Sequence, residues 1–454
     1  MFGMPTPDPR QAKPAQTLRD AYQAADPRPL ESGDPYFVDL TEGRDSKATE
    51  RLRQMIQNCG GGHSSAIAFS GHRGSGKSTE LRQLQHELAN CYTLYLDVND
   101  FLDAADIDYT DLFLLVSRAL LDRLRQDDVS IAADLLKAVE DWFVSVTKQT
   151  EQTVTLSAGV TTEARAGIEL PFIARLLAKL TADVKAGSSQ KVATRMELDR
   201  YFSGLLTNTN LLLSAASDAL AKSQKPSQIL ILVDNLDRLP PSKSEDLFVA
   251  HGSQLQDLDC HAVYTMSIDT FYSHKNIGNV FPNHLVLPNV KLQASKANSA
   301  ERKVGFDALR NVIEKRINVA KLLGSSELAV KLIATSGGSV RQLIRLLREA
   351  VLSAQSSKRD IIEASAVEDA ARAMTLDFER MLAPEDYDLL AEVSATKRIR
   401  KNEQYMRLLS NTAVLEYNGK DFWQDVNPLI GPIDAFQKAK RKVGRPVHRR
   451  RSGK

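Results

Sequence analysis

Lys77 and Ser78 follow Gly71, Gly74 and Gly76 in "GHRGSGKSTE" (71–80), which is the spacing G-x-x-x-x-G-K-S. Glycines let backbone N–H groups turn inward and approach phosphate oxygens, and a helix beginning there offers its positive end. In such a pattern Lys77 bridges the outer phosphates, Ser78 ligates Mg²⁺ and Thr79 lies near the inner phosphate. The candidate cradle is therefore Gly71, His72, Arg73, Gly74, Ser75, Gly76, Lys77, Ser78 and Thr79. A second metal-side group is required, and Asp234, at the end of the apolar run Ile229–Val233, stands where phosphate-loop enzymes place it. The alternative is a glycine-rich turn and an unrelated capping aspartate.

Asp234 opens the run D-N-L-D-R (234–238). Asp237 is three residues on and can face the same site if the strand turns into a loop; as an N-cap, or an ion pair with Arg238, it would have no catalytic part. Thr265 or Ser267, at the end of the strand in "HAVYTMSID", could orient a water or merely satisfy an edge. Arg341 enters a helix behind Gly337-Gly338, and its guanidinium can fork onto a terminal phosphate from a neighbouring domain.

These residues need elements to hold them. "AIAFS" (66–70) reads as a buried strand entering the glycine loop, and "STELRQLQHELA" continues as a helix with Leu81, Leu84 and Leu88 on one face. "YTLYLDVND" (92–100), "QILILVD" and "HAVYTMSID" (261–269) add strands between helices, implying a parallel sheet with ligands at its carboxyl edge. Within 125–226 we expect a mostly helical insertion holding a small hairpin or mobile loop around "TVTLSAGV". Its amphipathic stretch 172–185 suits packing on its own domain, and could also bind a partner or a membrane surface. From about 298 the chain turns helical. Near the end, a helix and two short runs joined at Asn418-Gly419 suggest a winged helix with a tight hairpin.

The expected divisions are a flexible proline-containing tail (1–30), a core (31–124 and 227–297), the insertion (125–226), a lid (298–356), a winged-helix-like domain (357–435) and a basic tail (436–454). The fold class is α/β, with a P-loop NTPase parallel sheet core, helical insertion, α-helical lid and C-terminal winged helix.

Composition sets outer bounds. The chain has 454 residues, 43% hydrophobic and 26% charged, which fits packed cores rather than disorder. No apolar run approaches the roughly 20 residues of a bilayer crossing. The opening lacks the features of a secretory signal, and Cys59, Cys91 and Cys260 show no metal-type spacing, so buried thiols in a reducing cytoplasm are expected. Net charge is +2, yet nine Lys and Arg and no acid fall within 435–454, leaving an acidic body and a basic arm. That arm and the basic stretch "KRIRKNEQYMRLL" (397–409) point to DNA phosphates. "VGRP" (443–446) is a partial AT-hook core.

Together, the 71–78 loop, D-N-L-D-R, the 261–267 strand and G-G-S-V-R (337–341) before a helical lid and winged helix resemble AAA+ ATPases. They are most similar to origin-recognition-type initiators and to the STAND and KAP signalling and defence classes, over about 31–435 with the insertion unmatched. The resemblance implies ATP and Mg²⁺ as cofactors, Lys77 and Ser78 as Walker A contacts, Asp234 as the Walker B carboxylate and Arg341 as the sensor-2 arginine. It places Tyr36, in "PYFVDLTEGRD", at the adenine pocket. One departure matters: Asn235 stands where many members carry a glutamate base. Asn orients water but cannot accept its proton, so slow hydrolysis, or reliance on Asp237, is implied. A homo-oligomeric DNA-associated switch of a prokaryotic defence or mobile-element type follows from the resemblance. The alternative is an ATP-gated scaffold recruiting an effector protein through 125–226. ATP is preferred to GTP because no N-K-x-D motif is found.

Overall fold

The computed structural model describes residues 13–58, 64–103, 105–148, 172–185, 189–273, 277–292, 299–418 and 422–443. Five parallel strands form the central sheet: β1 (Ser65–Gly71), β2 (Cys91–Asp97), β3 (Gln228–Asp234), β4 (His261–Met266) and β5 (His284–Leu287), in the order β2-β3-β4-β1-β5. Covered on both faces, they read as near-continuous apolar runs, and β3 is buried from Ile229 to Asp234. One face carries the helices Ala48–Asn58 and Lys77–Glu87, whose Leu52, Ile56, Leu81 and Leu84, with Leu88 just after the second helix, pack on Ile67, Phe69, Leu230 and Leu232. The other face carries Tyr109–Gln126 and the insertion.

The insertion is helical where described: Ala133–Lys148, Phe172–Lys185, Ser189–Arg200 and Phe202–Lys222. Its amphipathic helix Phe172–Lys185 packs inward, burying Ile173, Leu176, Leu177, Leu180 and Val184 in the core of the sheet's second face. The run "TVTLSAGV", read as a strand, lies outside the described residues. Ion pairs of Asp106 with Lys191 (2.9 Å), Arg195 (3.1 Å) and Lys243 (2.9 Å) tie the insertion to the short helix behind β3.

The lid comprises Ser299–Arg316, Val319–Leu322, Ser326–Thr335 and Val340–Ser356. In the last, Leu343, Leu346, Leu347 and Ala350 are all buried, as their spacing predicts. The N-terminal segment departs from expectation. Residues 13–30 are no loose tail: Ala15 bridges to Ile317, and helix Leu18–Ala24 buries Leu18, Ala21 and Ala24 in the lid's core. Arg348 of the lid lies over the Tyr22 ring, 4.1 Å from its centroid.

Beyond the lid come helices Ala364–Met381, Asp386–Thr396 and Glu403–Ser410, then an antiparallel pair, β6 (Val414–Tyr417) and β7 (Trp423–Val426). Tyr417 pairs with Trp423, so five residues join the strands instead of a two-residue Asn-Gly turn; the turn itself, 419–421, lies outside the described residues. The expected boundary at 436 also moves. Asp434–Val443 is one helix that buries Phe436 and Ala439, and the basic tail begins only after it, outside the described residues. Among the described residues no helix is long and apolar enough to cross a membrane, and Cys91 and Cys260 are buried free thiols.

Candidate functional site

β1 ends in the glycine loop at the sheet's carboxyl edge, and the helix Lys77–Glu87 starts directly behind it. The turn depends on Gly74 (φ +90°) and Gly76 (φ +108°), both in the left-handed region that a side chain disfavours. At Gly74 a Cβ would also come within 2.7 Å of the Arg341 Cβ. The Lys77 ammonium is buried. It donates to the carbonyls of Gly71 (2.7 Å) and His72 (3.1 Å) and pairs with Asp237 at 2.8 Å. So the acid against Lys77 is Asp237, not Asp234, and Asp237 does not take Arg238 as its ion-pair partner. Burial opposes ionisation of Asp237, but Lys77, with Arg73 and Arg238 nearby, holds its carboxyl below the ordinary value.

Asp234 ends β3 level with Asp97 of β2. Its carboxylate accepts from the Tyr95 hydroxyl and from the Asn235 N–H (2.7 Å). Asn235 follows in the left-handed region (φ +67°), which turns the chain so that Asp237 reaches back to the lysine. Thr265 is spent on this turn: its hydroxyl donates to the Val233 carbonyl (3.3 Å) and accepts from the Leu236 N–H (3.1 Å). Ser267 is not brought to the cleft. Its hydroxyl donates to Thr270 at 2.8 Å within a buried hydroxyl cluster that includes Ser244.

A cleft lies over the loop, lined by Gly74, Gly76, Lys77, Ser78, Thr79, Asn235 and Asp237 on the sheet side. Tyr36, Val38, Val312, Arg316, Arg341 and Ile344 line it from the N-terminal segment and lid. Thr79 has a further duty, accepting the Leu30 N–H at 3.1 Å and so stitching that segment to the loop helix. Tyr36 is half-buried, with the Arg316 guanidinium 5.2 Å from its ring centroid. Burial lowers Arg316 to about 10.

Several side chains that hold the loop and Asp234 carry little signal in the sequence. Arg44, in the same "TEGRD" stretch that follows Tyr36, is buried and forks onto the loop. It donates to the Ser75 carbonyl and to Glu80, each at 2.6 Å, bracing the loop from behind. Tyr95 holds Asp234, and its position two residues before the end of β2 was the only available signal. Arg341 hangs from the lid, its N–H donating to the Gly74 carbonyl at 3.2 Å. Burial first, then the like charge of Arg238, lowers its pKa, and it forms no ion pair among the described residues. Arg73, Arg238 and Arg341 thus gather positive charge at one end of the cleft, and the Ser75 hydroxyl is buried without a partner.

A model of the KAP family P-loop domain matches residues 46–251. The chain carries a KAP family P-loop NTPase domain. The KAP match spans β1, the glycine loop, β2, the insertion and β3, and ends before β4. No curated protein matches the chain. Among solved structures, Cdc6p from Pyrobaculum aerophilum is 12% identical, covers 90% of this chain and 99% of its own, and has a TM-score of 0.37. A Walker-type ATPase of Pyrococcus abyssi is 10% identical, with coverages of 92% and 99% and a TM-score of 0.41. Drosophila ORC bound to DNA is 11% identical, with coverages of 97% and 95% and a TM-score of 0.40.

The cationic end of the cleft and the turned-in loop suit a polyphosphate anion, while Tyr36, Val38, Val312 and Ile344, which lie outside the matched residues, suit a flat apolar group. The basic surface expected at 397–409 is partly spent internally. Lys397 pairs with Asp425 (2.6 Å), Arg400 with Glu392 (2.6 Å) and Arg407 with Asp386 (2.5 Å), while Arg398 covers the Phe422 ring.

Proposed function

We propose that the chain is an ATP-binding switch that hydrolyses ATP slowly. The carrying observation is the position of Lys77, held between two loop carbonyls and Asp237, with Arg341 tied to the same loop from the lid. A triphosphate offers oxygens that replace those three acceptors, and its outer end meets Arg73, Arg238 and Arg341. Ser78 and Asp234 would hold the accompanying Mg²⁺, which supplies charge neutralisation on the phosphates. Release of Lys77 leaves Asp237 free to orient and deprotonate a water, the task Asn235 cannot complete. Tyr36, beside Arg316, would face the base. Arg341 then closes the lid onto the loop, and loss of the terminal phosphate loosens it.

The test is wild type against Lys77→Ala and Asp234→Ala, in ATPase and size-distribution assays. Turnover well above about 10 per second, the middle of the general enzyme range, would overturn the slow switch. If assembly size follows ATP while phosphate release stays at background, the protein is instead a scaffold, with the 125–226 insertion as the place for an effector.

DNA association of a homo-oligomer in the cytoplasm completes the proposal. Its support is the winged-helix-like order of helices and hairpin and the basic helix Asp434–Val443 leading into the arginine-rich tail. A defence or mobile-element role is tested by phage challenge of cells carrying wild type or Lys77→Ala; equal protection would reject an ATP-dependent role in defence.

A further inference from the structure

The His72 ring and Glu416 are buried titratable groups that the chemistry above does not use, and they meet. The Glu416 N–H, in β6, donates to His72 Nε2 at 2.8 Å. His72 is fully enclosed, and burial, reinforced by the Lys77 charge, lowers its pKa to about 3, so the ring is a neutral acceptor. Its backbone matters equally, because the His72 carbonyl is one of the oxygens holding the Lys77 ammonium. A single residue therefore has its ring fixed by the C-terminal hairpin and its carbonyl on the phosphate-binding lysine.

The same hairpin grips the opposite wall of the cleft. The Tyr417 hydroxyl donates to the Gly337 carbonyl at 2.7 Å, in the turn that launches the Arg341 helix. A Cβ at Gly337 would clash with Leu415 and Pro428, so the turn and the C-terminal unit are in direct contact. Gln342, next to Arg341, exchanges two amide hydrogen bonds with Asn427, each 3.0 Å. Beneath β6, Tyr272 donates to the Glu416 carboxyl at 2.8 Å, which anchors the strand to the segment following β4.

We infer that His72 is a positioning residue through which the β6–β7 hairpin sets the phosphate loop, so that the seating of the C-terminal unit governs nucleotide affinity. With the hairpin seated, the His72 ring is pinned and its carbonyl is aimed at Lys77, while Gly337 and Gln342 keep Arg341 over the loop. With the hairpin lifted off the loop, the Glu416 N–H loses a buried acceptor and the His72 ring is no longer pinned. The inference rests on the nucleotide reading of the cleft.

The experiment compares full-length wild type, His72→Leu and His72→Gln by hydrogen exchange over residues 413–418 without nucleotide, and by calorimetric titration with Mg²⁺–ATP. Leu removes the acceptor. Gln presents an oxygen at a reach similar to Nε2. His72→Leu is expected to speed exchange and weaken ATP binding by about tenfold each, the effect of losing one buried hydrogen bond, with Gln restoring both to within about threefold. Faster exchange with unchanged affinity would reduce the contact to a structural one and overturn the inference, as would wild-type behaviour in both. Should His72→Leu fail to fold, Tyr417→Phe removes only the hydroxyl on Gly337 and leaves the loop intact; wild-type affinity in that variant overturns the inference equally. A wild type that takes up no ATP defeats the nucleotide reading itself, and the nucleotide-free exchange still shows whether His72 holds the hairpin.

Discussion

Three oxygens surround the Lys77 ammonium, and each must yield before a phosphate takes its place. Two belong to the loop backbone; only the Asp237 carboxylate can be edited. Asp237→Asn is expected to keep ATP affinity within about threefold and to slow phosphate release by about 10²-fold or more, the loss typical of a general base. Unchanged turnover would return Asp237 to a purely structural place. Stability follows the direction of its pKa. A carboxyl held below its ordinary value contributes above the unfolded pKa of about 4 and loses that contribution as pH falls through the folded value. The stability gap between wild type and Asp237→Asn should therefore be flat from pH 8 to pH 5 and shrink in more acid solution, measured by urea unfolding. The glycine loop and the two aspartates were picked out from residue type, spacing and the strands around them, but that Asp237 rather than Asp234 meets Lys77 was not. Arg44 was not, because nothing in a lone arginine signals burial; that follows only once the Ser75 carbonyl and Glu80 are brought to either side of it.

At the scale of elements, apolar continuity exposed the parallel strands, and the helical spacing of Leu343, Leu346, Leu347 and Ala350 exposed the lid helix. What escaped was pairing between distant segments. Helix Leu18–Ala24 has a legible apolar face, but the prolines around it favoured a tail, and its partner lies some 300 residues away in the lid. The hairpin shows the same limit: its strands were foreseeable, its docking on the phosphate loop was not. Burial lifts Glu416 to about 7 despite donors on Tyr272 and Gln424. An acid raised above its ordinary 4.5 leaves the fold most stable below that value, with stability falling as pH rises through 7. Glu416→Gln should flatten this slope and make the protein more stable than wild type at pH 8, by up to about 3 kcal/mol. Parallel pH profiles for the two proteins would refute the assignment.

For the whole molecule, the sheet has its own two cores, while the N-terminal segment, lid and C-terminal helices share a third that runs from Ala15 to Ala439. Truncation should expose this division. Ending the chain at Val443 leaves that core intact and should barely shift the melting temperature. Ending it at Ala435 strips out Phe436 and Ala439 and should cost about 3 kcal/mol or more. Loss of 444–454 should also reduce the salt slope of DNA binding by roughly 0.9 for each cation that had met a phosphate; an unchanged slope would move the contact to the helix before it. The shared third core also fixes how movement would look from outside. Both ends of the described chain ride on one block, so dyes placed near Ala15 and near Ala439 should keep a constant separation while each changes its distance to a dye on the sheet.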